Sequence, residues 1–160
     1  MPLLPYLDAT PRVAVDVRID PDGFVIGKVE IDAGGSIGPR AVVRGDQSYI
    51  AIGRRFRLGA SATVHVDPEF PTLLGDDIVV EDRAVIHGCT IGDAVLVERE
   101  ATILSGSVIG AGSIIRADAL VPEGREVPPR SIVAGTPGKV IGQTTDEQVA
   151  EIRRRAGAAA

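Results

Sequence analysis

Few side chains in this sequence are equipped for chemistry. Its 160 residues include two histidines, one cysteine and no tryptophan. His65 and His87 each directly follow an apolar residue, in Thr63-Val64-His65-Val66-Asp67 and Val85-Ile86-His87-Gly88-Cys89. Two imidazoles held side by side can share a divalent cation, each ring nitrogen at roughly 2.0–2.1 Å. They can equally move protons, since the ordinary histidine pKa is about 6.5. Arg44 also follows an apolar residue, Val43, and Asp46 lies two places beyond it. Whether these groups meet depends on what the residues between them build.

From Val25 onward an apolar residue returns every six: Val25, Ile31, Ile37, Val43. Single steps of nine, ten and five residues, to Ile52, Leu74 and Ile91, interrupt the sixes through Leu58, Val64, Val80 and Ile86, after which the period runs unbroken to Val133. Neither a strand, with period two, nor a helix, with period 3.6, explains a period of six. Short strands laid around a three-faced prism do, with the anchors pointing inward. Eighteen anchors make about six coils. Gly often follows an anchor, as at Gly38, Gly53, Gly59, Gly75, Gly92 and Gly110, and is expected to supply backbone freedom at the corners. Composition agrees: Val and Ile total 36, Gly 19 and Pro 11, while aromatics make up 3%.

Counting along the prism brings the candidate residues together. Val43, Val64 and Ile86 are successive full turns, so Arg44, His65 and His87 form one column. Coils that pair like strands put neighbouring backbones about 4.8 Å apart. The surplus residues between the histidines, Asp67-Pro68-Glu69-Phe70-Pro71-Thr72, must leave the prism as a loop. Toward the C-terminus, Thr144-Thr145-Asp146-Glu147-Gln148 carries a capping-box signal. Val149 and Ile152 give the helix that follows an apolar stripe. The division expected is a β-helix over 1–143 and a packed helix and tail over 144–160, with Arg153 to Arg155 as a solvated helix end.

A net charge of −5, with scattered basic residues, argues against nucleic acid and against a polybasic membrane anchor. No basic start precedes an apolar run, so neither a secretion signal nor a membrane span is expected. One cysteine fits a reducing compartment, and a cytoplasmic location is expected. Cys89 reads as a buried structural thiol.

The repeat resembles the hexapeptide-repeat proteins, whose known members are left-handed parallel β-helices. The stretches Ala41-Val42-Val43-Arg44-Gly45-Asp46, Thr63-Val64-His65-Val66-Asp67 and Val85-Ile86-His87-Gly88-Cys89-Thr90-Ile91-Gly92 are similar to the γ-class carbonic anhydrase family over about Val13 to Glu151. That resemblance implies a homotrimer with a small-molecule site at subunit interfaces. It also implies zinc held by two histidines of one subunit and a third from its neighbour, with a bound water attacking carbon dioxide. Zinc with three protein ligands lowers the pKa of its water to about 7.

The sequence departs from that pattern at one site. Where relatives carry the third histidine this chain has Asp82, and where they carry Gln and Asp it has Gly59 and Ala60. Asp82 reads either as the third metal ligand beside His65 and His87, or as a ladder partner of Arg99 one coil above. Arg44 reads as an anion or substrate contact, or, the preferred reading, as an intersubunit ion-pair partner. The expectation is a degenerate γ-carbonic anhydrase-like protein that is not an efficient hydratase. Its His65, His87, Arg44 and Asp46 would serve another small-molecule reaction. A zinc hydratase with a His-His-Asp set and a non-catalytic scaffold remain the alternatives. Acyl transfer is suggested by the fold alone, which does not license function.

Overall fold

The computed structural model describes residues 2–158. Its short strands wind into a parallel β-helix of about seven turns, closed by one C-terminal helix. Each face contributes one column of stacked aliphatic residues to the interior. The first stacks Ile19, Ile37, Leu58, Val80, Val97, Ile115 and Val133. The second stacks Val25, Val43, Val64, Ile86, Ile103 and Val121. The third stacks Ile31, Ile52, Leu74, Ile91, Ile109 and Val127. Every anchor expected from the six-residue period lies in one of these columns, at 5% exposure or less. Each such side chain contributes about 1.5–3 kcal/mol by burial.

The expectation of about six coils is one turn short. Leu3 pairs with Val25, Val13 with Ile31 and Ile19 with Ile37, so the N-terminal residues complete a further turn. The step from Leu3 to Val13 is not a multiple of six, and the period therefore does not reveal it.

The corner glycines serve a different purpose from the one expected. The left-handed backbone falls two residues after the anchor's glycine, at Arg40, Arg55, Ser61, Asp77 and Ala94, all with φ near +55 to +60°. The glycines instead give room to the next coil. A Cβ on Gly59 would stand 2.6 Å from both the Asp82 nitrogen and Asp82 Oδ1. On Gly75 it would stand 2.2 Å from Asp93 Oδ1. Close stacking, not torsional freedom, demands glycine there.

At the C-terminus, Lys139–Gln143 turns back antiparallel to Ser131–Ala134. The helix Asp146–Gly157 then starts from a capping box formed by Thr145 and Gln148. Thr144 is instead buried and donates to the Gly112 carbonyl at 2.7 Å. Ile152 and Ala156 pack on Val79, Leu96 and Ile114, the outward residues of the first face. Arg153 to Arg155 are not merely a solvated end. Arg153 Nη1 meets Asp77 Oδ2 at 3.0 Å, Arg155 Nη2 meets Glu81 Oε1 at 2.8 Å, and Arg154 pairs with Glu151. The last helical turn lies over corner carboxylates of the β-helix, which periodicity within the helix could not reveal. Residues 159–160 of the expected tail lie outside the described residues. Among the described residues no helix is long and apolar enough to cross a membrane.

Candidate functional site

His65 ends the strand Thr63–His65 and His87 ends Val85–His87. The two are direct Cα partners on adjacent turns. Val43 opposes Val64, which sets Arg44 beside His65 as the column predicts. The imidazoles meet edge to face, with ring centroids 5.1 Å apart and planes at 66°.

Asp46 joins them from the corner of the long strand Val42–Ile52. Its Oδ1 lies 2.8 Å from His65 Nε2 and its Oδ2 lies 3.3 Å from Arg44 Nε. Burial opposes ionisation of Asp46. The hydrogen bond with His65, the charge that ring carries when protonated, and the charge of Arg44 outweigh that and hold its carboxyl below the usual range. Arg44 remains half exposed, at 48%, while the His65 side chain is 14% exposed.

His87 is held differently. Its Nδ1 lies 2.9 Å from Ser105 Oγ, and Ser105 Oγ donates to Asp67 Oδ2 at 3.2 Å. Burial, and then the neighbouring His65, push the His87 pKa down against the opposing pull of Asp67 and Glu123. That shift favours the neutral imidazole over the charged one. The expected loop does leave the prism between His65 and Thr72, and it returns Asp67 to the site. Thr72, fully buried, secures its end: Thr72 Oγ1 donates to the His65 carbonyl at 2.6 Å and accepts from Gly88 N–H at 3.0 Å.

Ser105, Asp67 and Thr72 escaped the sequence reading. Stacking one further turn would have placed Ser105 over Gly88. Asp67 sits outside the repeat, where no periodic signal reaches. Cys89, as expected, is buried, and burial pushes its thiol up to about 12.

Asp82 lies at another corner, between the first and second faces. Its Oδ1 accepts from Ala60 N–H at 2.8 Å. Asp76 and Asp93 make the same contact at their own corners, accepting from Arg54 N–H at 2.7 Å and Asp76 N–H at 2.8 Å. The ladder with Arg99 does not form. The Asp82 carboxylate is drawn to the backbone of the coil below, while the Arg99 backbone N–H donates to Glu81 Oε2 at 3.0 Å. Among the described residues, no group of three His, Cys, Asp or Glu could hold a metal ion within one chain.

Sequence comparison places this geometry in a family. A γ-carbonic anhydrase 2 from Arabidopsis thaliana mitochondria is 35% identical over 96% of the chain. A protein of Methanocaldococcus jannaschii bearing the name "Probable carbonic anhydrase" is 40% identical over 90% of the chain and 91% of its own length. The chain belongs to the γ-carbonic anhydrase-like family of hexapeptide-repeat proteins. It spans 58% of the length of the Arabidopsis γ-carbonic anhydrases it matches. No protein-family model matches it. Among solved structures, a Bacillus cereus protein described as a candidate acetyltransferase superposes with a TM-score of 0.93 at 32% identity. That match covers 96% of this chain and 90% of the other.

Proposed function

We propose that this γ-carbonic anhydrase-like chain forms a homotrimer whose interface site performs proton transfer on a small molecule, with His87 as the base. In this reading it is not an efficient zinc hydratase. One observation carries the proposal: the Asp82 carboxylate does the same backbone-binding work as Asp76 and Asp93. A side chain committed to Ala60 N–H, and shorter than the histidine it replaces, is a poor third ligand for His65 and His87. Gly59 and Ala60 bring no polar side chain to replace it.

In the proposed mechanism His87, whose neutral form burial favours, accepts a proton at a ring nitrogen. Asp46 holds the His65 ring, and the exposed part of Arg44 offers its guanidinium to an anionic group of the substrate. The trimer reading is supported by the outward column of the second face: Phe24, Val42, Thr63, Val85, Thr102 and Leu120 stack in register without a charge. The helix covers the first face, and the outward column of the third ends in Arg12, Glu30 and Glu126. An uncharged face of this kind suits a second copy, and the histidines stand at its edge.

The test is metal content per chain by elemental mass spectrometry, on protein purified without chelator, with particle mass by light scattering and a carbon dioxide hydration assay. The expected result is a trimer with far less than about one zinc per chain, not restored by added zinc, and no hydration. About one zinc per chain that disappears in His65→Ala would overturn the proton-transfer reading in favour of the His-His-Asp hydratase. Tight acyl-CoA binding by calorimetry would overturn it in favour of acyl transfer.

A further inference from the structure

We propose that Ser105 and Asp67 are positioning residues that fix His87 as its Nδ1–H tautomer, while Asp46 fixes His65 as the opposite, Nε2–H tautomer. The stacked histidines then present different free nitrogens, His87 Nε2 and His65 Nδ1. The functional consequence rests on the reading of His87 as the base; the tautomers do not.

The argument is donor counting. A serine hydroxyl has one proton. Ser105 gives it to Asp67 Oδ2 at 3.2 Å, because an ionised carboxylate only accepts. The oxygen of Ser105 then faces His87 Nδ1 at 2.9 Å as an acceptor, so Nδ1 must carry the hydrogen. The other tautomer would set two lone pairs against each other unless Ser105 abandoned Asp67. For His65 the acceptor is the ionised Asp46, 2.8 Å from Nε2, so that nitrogen carries the hydrogen. The hydrogen bond made by one ring nitrogen decides what the other can do.

The loop makes the relay firm. Its ends close through Asp67 N–H to Phe70 O at 3.1 Å and Phe70 N–H to Asp67 O at 3.2 Å. Glu69 N–H donates to Asp67 Oδ1 at 3.1 Å, leaving Oδ2 for Ser105. Phe70 lies against Gly106, next to Ser105, where a Cβ would meet its ring at 3.2 Å. Ser105 itself is 7% exposed, so water competes little for its proton. A surface loop, outside the repeat, thereby sets which nitrogen of His87 takes a proton from a substrate.

Two histidines per chain make the test direct. Long-range proton–nitrogen correlation spectra of the full chain, nitrogen-15 labelled and held near pH 8, report each tautomer without substrate or metal. The expected spectrum contains one Nδ1–H and one Nε2–H imidazole, and His65→Asn removes the Nε2–H set. Ser105→Ala and Asp67→Asn are expected to cost His87 its single-tautomer signature while His65 keeps its own; Ser105→Thr restores it. Two Nε2–H imidazoles in the unaltered protein, or a His87 pattern unmoved by both variants, would overturn the proposal. Since the wild-type spectrum already decides, a variant that fails to fold does not rescue it. Failure to find a substrate would count against the base reading only.

Discussion

Replacing Gly88 with Ala probes how tightly the loop is built onto the site, and Gly124 supplies the control. Both have left-handed backbones, with φ of +57° at Gly88 and +68° at Gly124. An alanine in that region costs roughly 1–2 kcal/mol for its conformation alone. At Gly124 a Cβ would meet nothing within 4 Å, so that cost is all the Gly124→Ala variant pays. At Gly88 the same Cβ would meet Ser105 Oγ at 3.0 Å, Asp67 Cβ at 3.1 Å and the Phe70 carbonyl at 3.2 Å. Two of these are backbone or backbone-proximal atoms of a loop tied down by Thr72, so they cannot yield freely. Overpacking adds about 1–3 kcal/mol. Gly88→Ala should therefore be the more destabilising variant by about 1–3 kcal/mol, a melting temperature lower by roughly 2–12 °C for a chain of this size. Paired urea and thermal melts of the two variants at one protein concentration measure the difference. Equal losses would refute the reasoning, because they would mean that loop and Ser105 are not packed on Gly88.

The other expectations concern the helix and the thiol. Asp77, 5% exposed in its side chain, is held below the usual carboxylate range by its hydrogen bond with Arg55, against burial, with Arg153 of the helix adding to the effect. A depressed native pKa means stability that is fully present above the unfolded value of about 4 and is lost as pH falls from there through the lower native value. Asp77→Asn should cost about 2 kcal/mol near neutral pH, and the gap to wild type should narrow as pH falls below about 4; a gap constant with pH in denaturant melts would contradict this. Cys89, buried and with its thiol pushed up to about 12, should stay unlabelled by a thiol reagent near pH 8 until the β-helix unfolds. Labelling of the native protein at the rate of a free thiol would show that the coil opens there.

The architecture was legible because it is periodic. An inward aliphatic side chain every six residues is a local requirement repeated along the chain, and it places Val43, Val64 and Ile86 in one column by counting alone. That column in turn aligns His65 over Arg44 and beneath His87. The six-residue rule also marks the glycines, but the reason for them is not local. Gly59 is glycine because Asp82 of the next turn occupies its space, a contact between residues distant in sequence.

The sequence by itself determined the winding of the coils, the stacking of the two histidines and the departure of the 67–72 loop. The tertiary structure alone decided how these groups are wired. Asp67 reaches Ser105 because the loop folds back, and no period governs a loop. Residue type alone leaves Asp82 free to meet a metal or a cation, and it is the folded chain that sets its carboxylate on Ala60 N–H. Arg153 and Arg155 looked like solvent-facing charges until the helix laid them over Asp77 and Glu81. Side-chain hydrogen bonds depend on distances of a few tenths of an ångström between different coils. Residue type and spacing set which coils meet, and packing sets which atoms do.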